Sequence, residues 1–186
     1  IPILIPAGGT REYSDPVRFI SNASSGRMGY ALAQAALKAG HTVTLITAPT
    51  SLKPPKGARV VNVETAAQMF AAVKEHFPNC DCLIMAAAVS DYTPVRVSRT
   101  KIKKQTRELA IALKPTRDIL KWAGRHKISD FKSEISNRRP RRLIVGFALE
   151  DRHLRGNAEE KMRAKRLDLI VANTPAAIGA TTSTLY

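Results

Sequence analysis

Cysteine is scarce in this chain of 186 residues: Cys80 and Cys82 are the only two. Their i, i+2 spacing suits neither a zinc pair nor a Cys-x-x-Cys redox motif, so both are expected as reduced thiols, Cys82 inside a buried strand. No uninterrupted apolar run approaches the roughly 18 residues that a membrane helix needs. No basic segment precedes an apolar stretch in the manner of a signal peptide. Together these absences favour a soluble cytoplasmic protein with no membrane partner. Acidic residues are short in the second half: residues 1–95 carry 8 basic and 6 acidic side chains, residues 96–186 carry 22 and 9, and the net charge is +15. Such an excess attracts polyanions, and composition does not choose between nucleic acid and small phosphorylated substrates. A hydrophobic content of 44% rules against wholesale disorder. The length fits a single domain over 1–186 with a substantial core. Ile1 opens directly into a strand, which points to a domain trimmed from a longer chain.

Strands and helices alternate along the sequence. Short apolar strands are expected at 3–6, 42–47, 60–63, 82–86, 109–113, 143–147 and 169–172. Helices are expected at 30–39, closed by Gly40, then from the capping box Thr65-Ala66-Ala67-Gln68 to His76, and at 118–126 and 154–166. Fully apolar short strands between helices predict a doubly wound, mainly parallel Rossmann-like α/β sheet with helices on both faces. Ligands in such folds sit at the carboxyl ends of the strands.

The first strand leads into a segment rich in glycine and serine, Ala7-Gly8-Gly9-Thr10-Arg11, then Asp15-Pro16-Val17-Arg18-Phe19-Ile20-Ser21-Asn22-Ala23-Ser24-Ser25-Gly26-Arg27-Met28-Gly29. Backbone N–H groups and hydroxyls at a helix N-terminus make a phosphate cradle, so Gly8, Gly9, Ser24, Ser25 and Gly26 are candidates for nucleotide binding. A dinucleotide site is disfavoured, because the glycines do not form Gly-x-Gly-x-x-Gly. The acid that would hold a ribose is also missing where the second strand ends in Thr47-Ala48-Pro49-Thr50. From Arg96 to Arg107 there are six basic residues and no acid. This run reads as a solvated or nucleic-acid-binding loop, and it lacks the interleaved aromatics of a single-strand binder. Residues 126–142 are polar and basic, with four arginines around Pro140, and are expected as a mobile surface insertion. Several residues have bland alternatives: Asn22 as an Asx-turn brace, Ser24 and Ser25 as an ordinary helix cap, the alanines after the fourth strand and Phe147 as core, and Lys161 and Lys165 as a solvated helical face.

These segments, with Ala86-Ala87-Ala88-Val89, Asp91-Tyr92, Lys101-Ile102-Lys103-Lys104, Gly146-Phe147-Ala148 and Leu167-Asp168-Leu169-Ile170-Val171-Ala172-Asn173, occur in an order that closely resembles phosphopantothenoylcysteine synthetase, the second activity of the bacterial bifunctional coenzyme A biosynthesis flavoprotein. The resemblance implies a ligase. 4′-Phosphopantothenate attacks CTP to give an acyl-cytidylate and pyrophosphate, and cysteine displaces CMP to form the amide, with Mg²⁺ assisting. It further implies a homodimer, a basic flap at about 93–108 that comes near the partner's site, and a decarboxylase domain elsewhere on the full-length chain. No flavin is expected in this chain, and nucleic acid is not an expected partner. By the same resemblance Asn22 and Lys101 are catalytic, and Arg18 and Asn22 bind the substrate. Met85, Ala86, Ala87, Asp91, Lys101, Arg117, Asp118, Ile119, Leu120, Phe147, Lys161 and Lys165 contact the nucleotide, and Asp91 is also a candidate metal ligand. Arg117 departs from the family's usual Pro-Asp-Ile, and Ala148-Leu149-Glu150-Asp151 departs from Ala-Ala-Glu-Thr. The closing Thr-Ser-Thr-Leu-Tyr is expected to enter a strand cut short by the chain end. Eukaryotic relatives use ATP, and a non-catalytic basic nucleic-acid-binding module is a further alternative.

Overall fold

The computed structural model describes residues 1–104, 106–127, 142–149 and 153–173. Most of the expected insertion, Glu150, Asp151 and the closing strand lie outside the described residues. Among the described residues six strands build one sheet: β1 (Pro2–Ala7), β4 (Thr42–Thr47), β5 (Arg59–Asn62), β6 (Cys82–Ile84), β9 (Leu143–Leu149) and β10 (Leu169–Asn173), in the order β10-β9-β6-β1-β4-β5 with every pair parallel. Four strands have no place in it. A hairpin of β2 (Arg11–Tyr13) and β3 (Phe19–Ser21) follows β1, and β7 (Tyr92–Pro94) pairs antiparallel with β8 (Leu113–Pro115).

That last pair corrects the strand expected at 109–113. Its alternating Leu and Ala suggest a buried strand, yet Leu109, Ile111 and Leu113 are exposed. The segment is the return arm of the flap, whose stem is β7 and β8 with Val95 donating its amide to the Ala112 carbonyl.

Side chains alternate across the sheet and divide the core in two. Helix α1 (Arg27–Lys38) lays Tyr30, Ala33 and Ala36 against Ile3, Ile5, Val43 and Leu45. Helices α2 (Ala66–His76), α3 (Ile119–Arg125) and α4 (Leu154–Ala164) cover the opposite face, where Met69, Phe70, Val73, Ile119 and Leu120 pack on Leu4, Ile46, Leu83 and Ile144. Helices therefore lie on both faces, although the α1 face of β9 and β10 leaves Leu143, Leu149 and Leu169 exposed among the described residues. Thr65 accepts from the Gln68 amide, and the Gln68 side chain reaches back to the Thr65 amide, which completes the expected capping box.

The expected surface insertion is anchored at its described ends. Lys127 is buried and ion-paired with Asp168 at 2.5 Å, and buried Arg142 donates to the Pro78 carbonyl. Both cysteines are buried and free, and burial pushes the Cys80 thiol up to about 12. No described helix is long and apolar enough to cross a membrane.

Contact between α1 and β1 is unusually close, because a Cβ added at Gly29 would lie 2.5 Å from the Ala7 Cβ. Gly29→Ala improves helix propensity but overpacks a buried seam, so it is expected to destabilise the domain by about 1–3 kcal/mol in urea unfolding. A stabilised variant would contradict that packing.

Candidate active site

Pairing between β1 and β6 continues past the ends of both strands. The Ala88 amide donates to the Gly8 carbonyl at 2.9 Å, the Thr10 amide to the Ala88 carbonyl at 3.2 Å, and the Ser90 amide to Thr10 Oγ1 at 2.9 Å. Gly8 adopts a left-handed φ of 83°, and a Cβ there would sit 3.0 Å from the Ala48 carbonyl oxygen. At Gly9 a Cβ would come within 3.0 Å of the Asn22 carbonyl oxygen. Both glycines thus serve close approach of the backbone.

Asn22 and Ser21 fasten onto this ladder. Ser21 Oγ donates to the Thr10 carbonyl at 2.7 Å, and Asn22 Nδ2 donates to the Val89 carbonyl at 3.2 Å. Asn22 is therefore held across the two loops rather than in a local Asx-turn, with its side chain on the exposed side.

Gly26, at φ 77°, is the N-cap of α1 and makes no side-chain capping bond, and the first turn contains no acid. Ser24 and Ser25 accept from the amides of Gly26 and Arg27 only at 3.4 Å, so neither is an ordinary cap. The positive end of a twelve-residue helix accordingly has no carboxylate of its own first turn to offset it.

Asp15 is fully buried and accepts from the Val17 and Arg18 amides, the Arg18 guanidinium and the Ile102 amide. Burial opposes its ionisation, but these hydrogen bonds outweigh burial and hold the carboxyl below the usual range. Arg18 also donates to the Ile102 carbonyl at 2.9 Å, so its side chain joins the loop to the flap. Lys101, next to Ile102, is exposed.

Beyond β6 the expected residues differ in accessibility. Met85 is buried, and the amides of Met85 and Ala86 donate to the carbonyls of Val145 and Pro6 at 2.9 and 3.1 Å. Those two N–H groups are committed to the sheet. Asp91 is exposed, and its carbonyl accepts from the Thr116 amide at 2.9 Å, which ties it to the start of α3. Among the described residues no cluster of three His, Cys, Asp or Glu could hold a metal. A lone carboxylate such as Asp91 fits Mg²⁺ only as an ion that arrives on substrate phosphates.

The side chains of Ile119 and Leu120 are both buried in the core beneath α3, which leaves their backbone groups at the start of the helix as the parts that could meet a ligand. Arg117 lies over the Phe70 ring, 5.3 Å from its centroid, which directs the guanidinium toward α2. Asp118 caps α3 through the Lys121 amide and pairs with Lys165 at 2.9 Å, while Lys161 donates to the Phe147 carbonyl at 2.8 Å. The two lysines, four residues apart, are thus held by different partners. Half-buried Phe147 stands on the less covered face of β9. Sequence reasoning missed Asp15, and it missed buried Asn173 at the carboxyl end of β10, whose Oδ1 has no hydrogen-bond partner among the described residues.

A separate cleft of about 700 Å³ opens beside the ends of β4 and β5, lined by Tyr30, Thr50, Asn62, Glu64 and Gln68 among others. Thr47 there is occupied by the Tyr30 hydroxyl at 2.9 Å and by its own bond to the Ala48 carbonyl.

Residues 1–184 match the family described as DNA/pantothenate metabolism flavoprotein C-terminal domain. The chain belongs to this family. Among family relatives, the coenzyme A biosynthesis bifunctional protein CoaBC of Bacillus subtilis is 44% identical over 179 residues, which cover 96% of this chain and 41% of that protein. A cysteine/cysteine sulfinic acid decarboxylase from an unknown prokaryote is 45% identical over 92% of this chain and 45% of its own length. The crystal structure of a CoaBC C-terminal domain superposes with a TM-score of 0.77 at 41% identity, covering 92% of this chain and 76% of that one. The chain therefore spans less than half the length of these curated relatives.

Asp118 is partly buried, which raises its pKa, but the Lys121 amide and Lys165 ammonium more than reverse this and hold it lowered. A depressed folded pKa means that stability is fully present above the ordinary value of about 4 and is lost as pH falls through the folded one. Asp118→Asn keeps the capping oxygen and loses the charge. It is expected to cost at most about 1 kcal/mol at pH 7 and to lose less stability than the parent between pH 5 and pH 2, followed by urea titration. Identical acid slopes would show that the pair carries no pH dependence.

Proposed function

We propose that this domain joins 4′-phosphopantothenate to cysteine through an acyl-cytidylate formed from CTP. The observation that carries this reading is the seam of Gly8, Gly9, Ser24, Ser25 and Gly26 with Asn22, stitched to the loop after β6 at the start of α1. Membership of a pantothenate metabolism family, and relatives named for coenzyme A biosynthesis, support reading the seam as a site for pantothenate-derived substrates.

In the first step a carboxylate oxygen attacks the α-phosphorus of CTP and pyrophosphate leaves. Two anions meet there, so the α1 N-terminus, the hydroxyls of Ser24 and Ser25 and the Lys101 ammonium would offset charge, with Mg²⁺ delivered on the triphosphate near Asp91. Asn22 can donate its amide to the acyl or phosphoryl oxygen without adding a full charge. In the second step the cysteine amine attacks the acyl carbon and CMP leaves. Arg18 has guanidinium donors for substrate beyond the two N–H groups of Nη1 that bind Asp15 and Ile102. Lys161, Lys165, Asp118 and Phe147 would border the nucleotide. Exposed Val17, Phe19 and Ile20 on the hairpin and Val95, Val97 and Leu109 on the flap support a homodimer formed through this face. A decarboxylase domain would occupy another part of a longer chain, as the length of the relatives suggests.

The test supplies 4′-phosphopantothenate, Mg²⁺ and either CTP or ATP, and follows pyrophosphate with and without cysteine. Release is expected only with CTP and the acid together, with amide appearing only when cysteine is added. Asn22→Ala is expected to lower kcat by about 10²-fold or more, the loss seen when one donor to a developing oxyanion is removed. Release with ATP alone would move the reading to the ATP-using ligase. Silence with both nucleotides, in this chain and in one lengthened at both ends, would overturn it.

A further inference from the structure

Asp15 is the most completely enclosed charge among the described residues, and no role above explains why it is there. Its side chain is 0% exposed, yet it sits in a surface loop. Oδ1 accepts from the amides of Val17 and Arg18, both at 2.8 Å, and Oδ2 accepts from Arg18 Nη1 at 2.5 Å. Those three bonds would suffice to brace the turn. The fourth spans 87 positions of sequence: the Ile102 amide donates to Oδ2 at 3.1 Å. Arg18 Nη1 then donates to the Ile102 carbonyl at 2.9 Å, so both polar backbone groups of this flap residue are taken by one Asp–Arg pair. A further bond, from the Ser98 amide to the Ser14 carbonyl at 2.9 Å, fastens the flap to the same loop.

A buried carboxylate is retained without penalty only where its donors are complete. Here completion requires the flap to be down. Releasing Ile102 would leave Oδ2 short of a donor inside the protein, so the charge itself favours the docked flap. The residue immediately before Ile102 is exposed Lys101, whose backbone is tied to that held neighbour. Building on the reading of Lys101 as a nucleotide-binding group, we propose that Asp15 is a positioning residue: with Arg18 it clamps the Ile102 backbone and so fixes Lys101 at the nucleotide site.

Two measurements separate this proposal from the function it builds on. The first needs no substrate. Trypsin can cut the Lys101–Ile102 bond only when the Ile102 backbone is released, and cleavage then tracks the population of the open form. A charge-assisted hydrogen bond is worth enough that Asp15→Asn is expected to speed this cut about tenfold or more, with cleavage after exposed Lys56 unchanged as the control. Should Asp15→Asn fail to fold, Arg18→Gln removes the donor to the Ile102 carbonyl from a half-exposed side chain, and it is expected to speed the same cut severalfold. The second is a double-mutant cycle on kcat/KM for the nucleotide. Asp15→Asn is expected to cost about tenfold in the parent, mainly through KM, and less than twofold when Lys101 is already glutamine. Unchanged cleavage at Lys101–Ile102 overturns the clamp. Faster cleavage with additive kinetic losses overturns its action through Lys101. Absence of nucleotide turnover in this chain and in one lengthened at both ends, with a flap still freed by Asp15→Asn, overturns the proposed function and leaves the clamp standing.

Discussion

Everything at the carboxyl end of the sheet hangs on the hydrogen bonds that join the loops leaving β1 and β6. Parallel strands ordinarily part at their ends, and the crevice between them becomes the ligand site. Here the parting is delayed by Thr10, fully buried, which donates its amide to Ala88 and accepts the Ser90 amide on its hydroxyl. The glycines ahead of it permit an approach that any Cβ would obstruct, and Asn22 and Ser21 are attached on its outer side. A flexible glycine- and serine-rich segment thereby becomes a positioned surface.

The same economy governs charge. The buried or half-buried carboxylates Asp15, Glu12 and Asp168, and the more exposed Asp118, are answered by specific donors: Asp15 by the turn, Arg18 and the flap; Glu12 by the Ala66 amide at the start of α2; Asp118 by the α3 amide and Lys165; Asp168 by Lys127 and the Ile144 amide. With these four acids spent on structure, the positive α1 terminus at the seam has no carboxylate in its own first turn to offset it. An anionic ligand is the complement of such an arrangement.

Local signals in the sequence were sufficient wherever local chemistry decides structure. The β-branched run at Thr42–Thr47, the capping box at Thr65 and the Gly40 stop all appear where their residues place them. Long-range partners decided the rest. Three-residue strands such as Arg11–Tyr13 have no apolar alternation to announce them and exist because β3 pairs with them. Leu109 and Ile111 resemble core but lie on a flap arm whose stem draws it off the sheet. Ile119 and Leu120 belong to a motif suited to ligand contact, yet the register of a short helix turns both inward. Asp15 gave no sign of its importance, because its fourth partner lies on a distant loop.

Amide hydrogen exchange with and without CTP and Mg²⁺ tests most directly whether this seam is the working site. Slowed exchange is predicted at Gly26 to Gly29, at Ala87 and across Ile102 to Lys104. Slowing confined to the cleft beside β4 and β5, around Thr50, Asn62 and Gln68, would place the nucleotide elsewhere and contradict the account.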